Sequence, residues 1–352
     1  MPVLGIETSC DETAAAVIDW SGTVRSSVVA SQVVEHAPFG GVVPEIAARR
    51  HLENLDRVVE EALERAGIAL RELEGIAVTR GPGLIGCLLV GVTFARTLGW
   101  ALERPVVGVN HLEGHIASGW LTAPDLPFPA LALVVSGGHT ALWRVRGAGD
   151  YLQVARTRDD AAGEAFDKVA KMLGLRYPGG PELDALAESG DPHAFPFGAL
   201  RLKGAPGFSF SGYKTAARQH MERAGLDPLQ SPDDPPPAGV RDLAASFRHA
   251  VVREIVRVAR KAIAEERPRS LVLAGGVAAN RLLRREITSL ADEFGLALAI
   301  PPLEYCGDNA AMIALAGLPR LRRGENDLET LDAAAHLPLG GPEAARTSRR
   351  HR

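Results

Sequence analysis

Residues Val3 to Ile18 read VLGIETSCDETAAAVI, and residues Ala130 to Val145 read ALALVVSGGHTALWRV. In each, an apolar run of strand length meets a polar turn, and a second apolar run follows it. The pattern spells strand, turn, strand. One unit of this shape opening each half of the chain predicts an α/β fold of two lobes, duplicated from one ancestor, with a cleft between them.

Working outward, Pro44 to Ala66 carries Ile46, Leu52, Leu55, Val59 and Leu63 as one stripe. Pro stands at its start and Gly67 after its end, so it reads as a helix. Gly75 to Thr79 reads as a strand, Gly81-Pro82-Gly83 as a tight loop, and Leu88 to Leu102 as a helix. In the second half, Val240 to Arg267 reads as a long helix and Ser270 to Ala274 as a strand. The Gly275-Gly276 loop, a helix from Asn280 to Phe294, a strand from Leu296 to Ile300 and a helix from Asn309 to Arg322 follow. Asp227 to Gly239, rich in prolines and aspartates, reads as a loop, and the polar, basic tail Gly340 to Arg352 as frayed.

The 352 residues are enough for two packed lobes, and 46% hydrophobic with 23% charged residues is the balance of a globular protein with a large core. Lys and Arg total 39 against 43 Asp and Glu, so nucleic acid would need a local patch. Arg49-Arg50, Arg201-Lys203 and Arg320 to Arg323 are the candidates. Three cysteines without a C-x-x-C exclude a disulfide framework and a thiolate zinc site, and fit a reducing cytosol. The apolar run Leu84 to Ala95 stops at Arg96, short of the roughly 20 residues of a membrane span. With no leader-like N-terminus, this predicts a cytoplasmic protein without membrane contact.

Asn110-His111-Leu112-Glu113-Gly114-His115 is the first chemical cluster. On a helix, residues four apart differ by about 40°, so the two imidazoles share a face and make half a metal site. A zinc endopeptidase needs its glutamate directly after the first histidine. Glu113 comes one residue later, roughly 200° around from His111, and the protease reading fails. Asp308 reads either as the third ligand or as the N-cap of the helix that follows. An N,N,O set with open positions suits divalent iron or zinc. Ser136-Gly137-Gly138-His139-Thr140, Gly179-Gly180-Pro181 and Gly275-Gly276 offer bare backbone N–H groups, suited to a nucleotide phosphate. There is no Walker loop. The run Asp159 to Lys168, with Asp184, reads as a solvated helix start or as acceptors for a ribose or an amino group. Phe208 to Lys214 reads as a ligand lid or a buried strand end.

Ten ordered strings then match one family: GIETSCDET from Gly5, PEIAARRH from Pro44, TRGPGLIG from Thr79, NHLEGH from Asn110, VSGGHT from Val135, DDAAGEAFDK from Asp159, YPGGP from Tyr177, FSFSG from Phe208, AGGVAAN from Ala274 and DNAAMIA from Asp308. The chain resembles the bacterial tRNA N(6)-adenosine threonylcarbamoyltransferases, members of the actin-like superfamily. Gly307 stands where the family often has Thr, Cys87 where Ser is common, and Tyr213 for a frequent Leu.

The resemblance implies two actin-like, ribonuclease H-like lobes: residues 1–107 with about 325–345, and 108–324 with a helical insertion near 160–240, before a basic tail at 346–352. It implies transfer of threonylcarbamoyl from threonylcarbamoyl-AMP to the exocyclic amine of the adenosine 3′ of the anticodon, in tRNAs reading codons that begin with A. His111, His115 and Asp308 are implied as ligands of one divalent metal, Fe²⁺ or alternatively Zn²⁺. Val134, Val135, Ser136, Gly137, Gly138, Asp167, Gly180, Asp184 and Asn280 are implied as the adenylate-binding set. Ser9, Asp11, Glu12 and His139 are the candidate catalytic residues. Implied partners are a paralogous inactive subunit and a small ATPase. The rivals are a metal-dependent actin-like kinase or ATPase, which needs no histidine pair, and a scaffold, which needs neither metal nor adenylate motifs.

Overall fold

The computed structural model describes residues 1–198, 207–231 and 234–340. The basic stretch Arg201-Lys203, two positions of the loop Asp227 to Gly239, and the tail beyond Gly340 lie outside them. The described chain divides into two compact units, Met1–Asp125 with Ala148–Tyr151 and Pro301 onward, and Leu126–Gly147 with Leu152–Ile300.

The first unit is built on a five-stranded sheet of β1 (Pro2–Glu7), β2 (Glu12–Asp19), β3 (Val24–Ser31), β4 (Gly75–Gly81) and β5 (Val106–Asn110), in the order β3-β2-β1-β4-β5. β1 and β2 form the expected antiparallel hairpin, with Ile6 opposite Ala15, and β4 and β5 join β1 in parallel. The helices are α1 (Val33–His36), α2 (Pro44–Ala66), α3 (Ile85–Leu102), α4 (His111–Ala117), α5 (Gly119–Thr122) and, after the excursion through the second unit, α11 (Ala310–Arg322).

Alternation along β1 divides its side chains between two cores. Leu4 and Ile6 pack with Leu55, Val58 and Val59 of α2 and Val92 of α3, while Val3 packs with Met312, Ile313 and Leu321 of α11. Gly5 shares that second face, and a Cβ there would stand 2.1 Å from the Ala310 carbonyl oxygen. Glycine lets the start of α11 lie against the sheet. The buried face of α2 includes the expected Leu55, Val59 and Leu63 together with Ala47, His51, Val58 and Ala62, while Leu52 is 72% exposed. The polar His51 takes an inward position on this face and Leu52 an outward one.

The second unit repeats the plan. Its sheet holds β6 (Ala130–Val135), β7 (Thr140–Gly147), β8 (Asp150–Thr157), β9 (Gly207–Phe208), β10 (Ser270–Ala274) and β11 (Ala297–Ala299), ordered β11-β10-β6-β7-β8-β9. β6 and β7 form the second hairpin, and β10 joins β6 in parallel. As in the first sheet, the opening strand is central, with its hairpin partner on one side and the later parallel strands on the other. The helices are α6 (Ala162–Met172), α7 (Gly179–Ala187), α8 (Ser211–Ala224), α9 (Ala238–Glu266) and α10 (Arg281–Phe294). The chain passes between the units at 125/126 and 300/301; within the first unit α4 and α11 pack on each other and α11 covers the sheet.

Helix α3 ends at Leu102 as expected and starts three residues earlier, at Ile85; by length and composition it is the one described helix able to cross a membrane. It lies instead against β4 and α2, with Cys87, Leu88, Gly91, Val92, Ala95 and Gly99 buried, and Arg96 donating to the Leu328 carbonyl.

Candidate functional site

In the first unit the site begins with how its helix starts. Asn110 ends β5 and caps α4, its side-chain oxygen accepting from Leu112 N at 2.9 Å. The helix that follows presents His111 and His115 one turn apart, their ring centroids 4.7 Å from each other. Gly114 lets α4 press on α11, for a Cβ there would meet the Ile313 side chain at 2.6 Å. The contact brings in Asp308, just ahead of α11. Asn309, not Asp308, caps that helix by accepting from Met312 N at 2.9 Å, so the N-cap alternative for Asp308 is set aside.

Asp308 Oδ1 lies 3.1 Å from His115 Nε2 and 3.6 Å from His111 Nε2, and one ligand atom from each residue falls within 4.8 Å of the others. It is the one such group among the described residues. His115 has no exposed surface, and neither of its ring nitrogens makes a hydrogen bond. An orphaned buried imidazole is costly unless something accepts its lone pair. A cation held by the three residues meets that need, so the donor set fits a metal ion.

Behind His111 stands Glu7, fully buried at the end of β1. Its carboxylate accepts from Ser9 N at 2.6 Å and from the Thr79 hydroxyl, and lies 3.3 Å from His111 Nδ1. Ser9 Oγ sits 3.2 Å from the same nitrogen. These groups occupy Nδ1 and leave Nε2 facing Asp308, the arrangement that orients metal-binding histidines. Burial alone would lower His111, but the charges of Asp308 and Glu7 outweigh it and raise it to about 9. Burial would likewise raise Glu7, yet the His111 charge and the hydrogen bonds from His111 and Ser9 hold it below the ordinary carboxylate range. Glu7 stood in the polar hairpin of the sequence without a role. The available signal was a carboxylate ending a strand of buried residues.

Asp11 lies on the following turn and Glu12 opens β2. Burial raises the Glu12 carboxyl first, and the charges of Asp11 and Asp308 carry it to about 9, against a bond from Ser31. Burial, Asp11 and Asp308 also push the Cys10 thiol up, so it stays protonated.

In the second unit the hairpin turn and the glycine loops gather at the carboxyl ends of β6 and β10, where open α/β sheets take their ligands. Ser136 N donates to His139 O at 2.7 Å and His139 N to Ser136 Oγ at 3.1 Å, closing the turn beyond Val134 and Val135. Gly163 lets α6 abut this turn, a Cβ there standing 2.6 Å from Ser136 O. Above Gly137, Gly138, Gly180 and Gly276 the space is open. Asp167 Oδ1 accepts from Gly179 N at 2.9 Å and Gly180 N at 3.2 Å. Asp184 is committed within the protein: Oδ1 takes Arg248 Nη1 at 2.9 Å and Asn280 Nδ2 at 2.8 Å, and Oδ2 takes Arg281 N at 3.2 Å. Arg248 was missed, although an arginine four residues after Ala244 and three before Val251 stands in the buried stripe of α9.

Several residues read from sequence serve the scaffold. Asp159 accepts from Ser209 Oγ at 2.5 Å and Phe210 N at 2.8 Å, and Asp160 takes Lys214 Nζ at 2.7 Å. Phe208 and Phe210 are fully buried, so that stretch is a strand end and not a lid. Arg320 bridges Glu325, Asp327 and the Gly108 carbonyl, and Arg323 pairs with Glu325, which removes both from the free basic patch. Arg50 pairs with Glu35 and Glu53, while Arg49 forms no ion pair among the described residues.

The family model described as "TsaD: tRNA N6-adenosine threonylcarbamoyltransferase" matches residues 23–315. A protein of Methylorubrum extorquens strain PA1 with that transferase name is 52% identical over 349 residues, covering 96% of this chain and 98% of the relative. One from Trichlorobacter lovleyi is 52% identical over 341 residues, covering 96% and 97%. Among solved structures, HypF of T. kodakarensis superposes with a TM-score of 0.62 at 15% identity, over 94% of this chain and 49% of its own. That last likeness speaks for the fold alone, which is the actin-like one.

Proposed function

We propose a division of chemical work within this chain, which belongs to the tRNA N6-adenosine threonylcarbamoyltransferase family and is an enzyme of that activity. The substrate is tRNA. The donor in this reading is threonylcarbamoyl-AMP, and the acceptor the exocyclic amine of the adenosine 3′ of the anticodon in tRNAs reading codons that begin with A. AMP leaves.

His111, His115 and Asp308 hold one divalent cation, taken as Fe²⁺ with Zn²⁺ as competitor. Such a cation supplies Lewis acidity and a charged anchor for the oxygens of the acyl donor. Glu7 and Ser9 keep His111 turned toward it. Val134, Val135, Ser136, Gly137 and Gly138, with Asp167 and Gly180, receive the adenylate, the N–H groups of Gly137 and Gly138 facing phosphate. Asp184 and Asn280 act there by holding Arg281 and the start of α10, and His139 by closing its turn. Glu12 accepts the proton that the attacking amine sheds. A divalent cation beside Asp308 would offset the charge of that residue, which helps raise the Glu12 carboxyl, and so favour the ionised form that takes the proton.

The observation that carries this reading is the buried His115, whose ring nitrogens make no hydrogen bond, beside Asp308 and His111. Purified protein incubated with threonylcarbamoyl-AMP and unmodified tRNA modifies the tRNA, loses that activity with a chelator, and regains it when Fe²⁺ is returned. His115→Ala abolishes both bound metal and transfer while leaving the fold intact. Full transfer by that variant contradicts the assignment. We further read the protein as cytoplasmic, working with a paralogous inactive subunit and a small ATPase, with the exposed face of α2 around Leu52 as a docking surface.

A further inference from the structure

Behind the first hairpin turn, a chain of buried polar groups has no task in the chemistry above. His51 has no exposed surface, its Nε2 lying 2.9 Å from the Cys10 carbonyl oxygen and its Nδ1 2.8 Å from Thr13 Oγ1. A carbonyl only accepts, so Nε2 carries the hydrogen and Nδ1 accepts from the Thr13 hydroxyl. The same logic runs outward. Val43 N–H donates to His36 Nδ1 at 3.3 Å, so His36 Nε2 donates to Gln32 Oε1 at 3.2 Å. That turns the Gln32 amide nitrogen to the Ala47 carbonyl at 3.4 Å and to His51 Nδ1 at 3.5 Å. Each imidazole is neutral in this arrangement. Burial, the largest influence on His51, holds it below the ordinary imidazole range despite its bond to Cys10.

Asp11 and Glu12 are the two residues between Cys10 and Thr13, so His51 grips their turn at both ends. Gln32, from the same chain of groups, donates its backbone N–H to Asp11 O at 3.0 Å. We propose that His51 is a positioning residue for the transfer: as the neutral Nε2–H imidazole it spans the Cys10–Thr13 turn and sets where the Glu12 carboxyl stands. The proposal rests on the reading of Glu12 as proton acceptor. A carboxyl displaced by a fraction of an ångström loses rate and not substrate affinity.

Steady-state kinetics of the cation-loaded full chain test this. His51→Gln keeps one donor and one acceptor at the end of the side chain and holds kcat within about threefold of wild type. His51→Leu keeps the bulk and loses both bonds, and its kcat falls roughly tenfold or more. KM for tRNA and bound cation per chain stay unchanged. In a Glu12→Gln background the same His51→Leu change costs less than about twofold, because the group it positions is already gone. Wild-type kcat in His51→Leu overturns the proposal, as does an undiminished loss in the Glu12→Gln background, or a folded His51→Gln as slow as His51→Leu. If His51→Leu does not fold, Thr13→Val, which removes only the hydroxyl donor to Nδ1, takes its place with the same expectations. Glu12→Gln at the wild-type rate sinks the proton-acceptor reading itself, whatever His51 does.

Discussion

Glu12 is a carboxyl whose ordinary value of 4.5 is carried to about 9 by burial first and by the charges of Asp11 and Asp308 next. A raised folded-state value means the folded chain binds the proton more tightly than the unfolded one. Its stabilising contribution is present below about 4.5 and is lost as pH rises through about 9. Cation-free Glu12→Gln should therefore gain thermal stability relative to wild type steadily between pH 5 and 9, measured as the difference in Tm. Parallel curves for the two proteins would refute it. The neighbouring residues show what a sequence yields at this scale. The histidine pair announced itself by helical spacing, and Asp308 by its motif. Glu7 and Arg248 did not, because a buried charge is legible only once its partner is known, and each partner lies far off in the chain.

At the scale of elements, the opening hairpins and β10 were legible as short continuous apolar runs buried along nearly their whole length, and α2 by its helical stripe and terminal Pro and Gly. β3 and β8 were not. Their residues alternate unevenly between buried and exposed, the mark of strands with one face half open to solvent. Where the cap is an asparagine the helix starts one residue later than its sequence suggests. Asn280 and Asn309 belong outside α10 and α11, their side chains standing in for the missing turn. The contact of β1 with α11 gives the prediction at this scale. Gly5→Ala places a methyl against the Ala310 carbonyl and the Ala314 side chain, so the first turn of α11 must retreat. We expect a loss of about 1–3 kcal/mol in denaturant unfolding, with weaker cation binding because Asp308 is joined to that turn through its cap, Asn309. Unchanged cation affinity would show that Asp308 is placed independently of α11.

For the molecule as a whole, a formal charge of -4 means that tRNA is met by local charge and not by the general field. Affinity should fall linearly in log–log terms with added salt. Arg49→Ala should reduce that slope by about one, whereas Arg320→Ala should leave it alone and cost stability, since Arg320 is held by Glu325 and Asp327. Filter binding across a salt series checks both, and a salt-independent affinity would count against them. The duplicated architecture was legible because two hairpins of one shape head the two sheets. Which sheet α11 covers was not, since nothing in α11 itself says so.

That return of the chain has a consequence for biosynthesis. The second unit is translated whole, from Leu126 to Ile300, while the first still lacks the helix that closes one face of its sheet. A nascent polypeptide bearing His111 and His115 thus has no third donor until Asp308 clears the exit tunnel. Loading with the proposed cation is accordingly a late event, and a message broken anywhere between the two histidines and that aspartate yields a product unable to hold it at three donors.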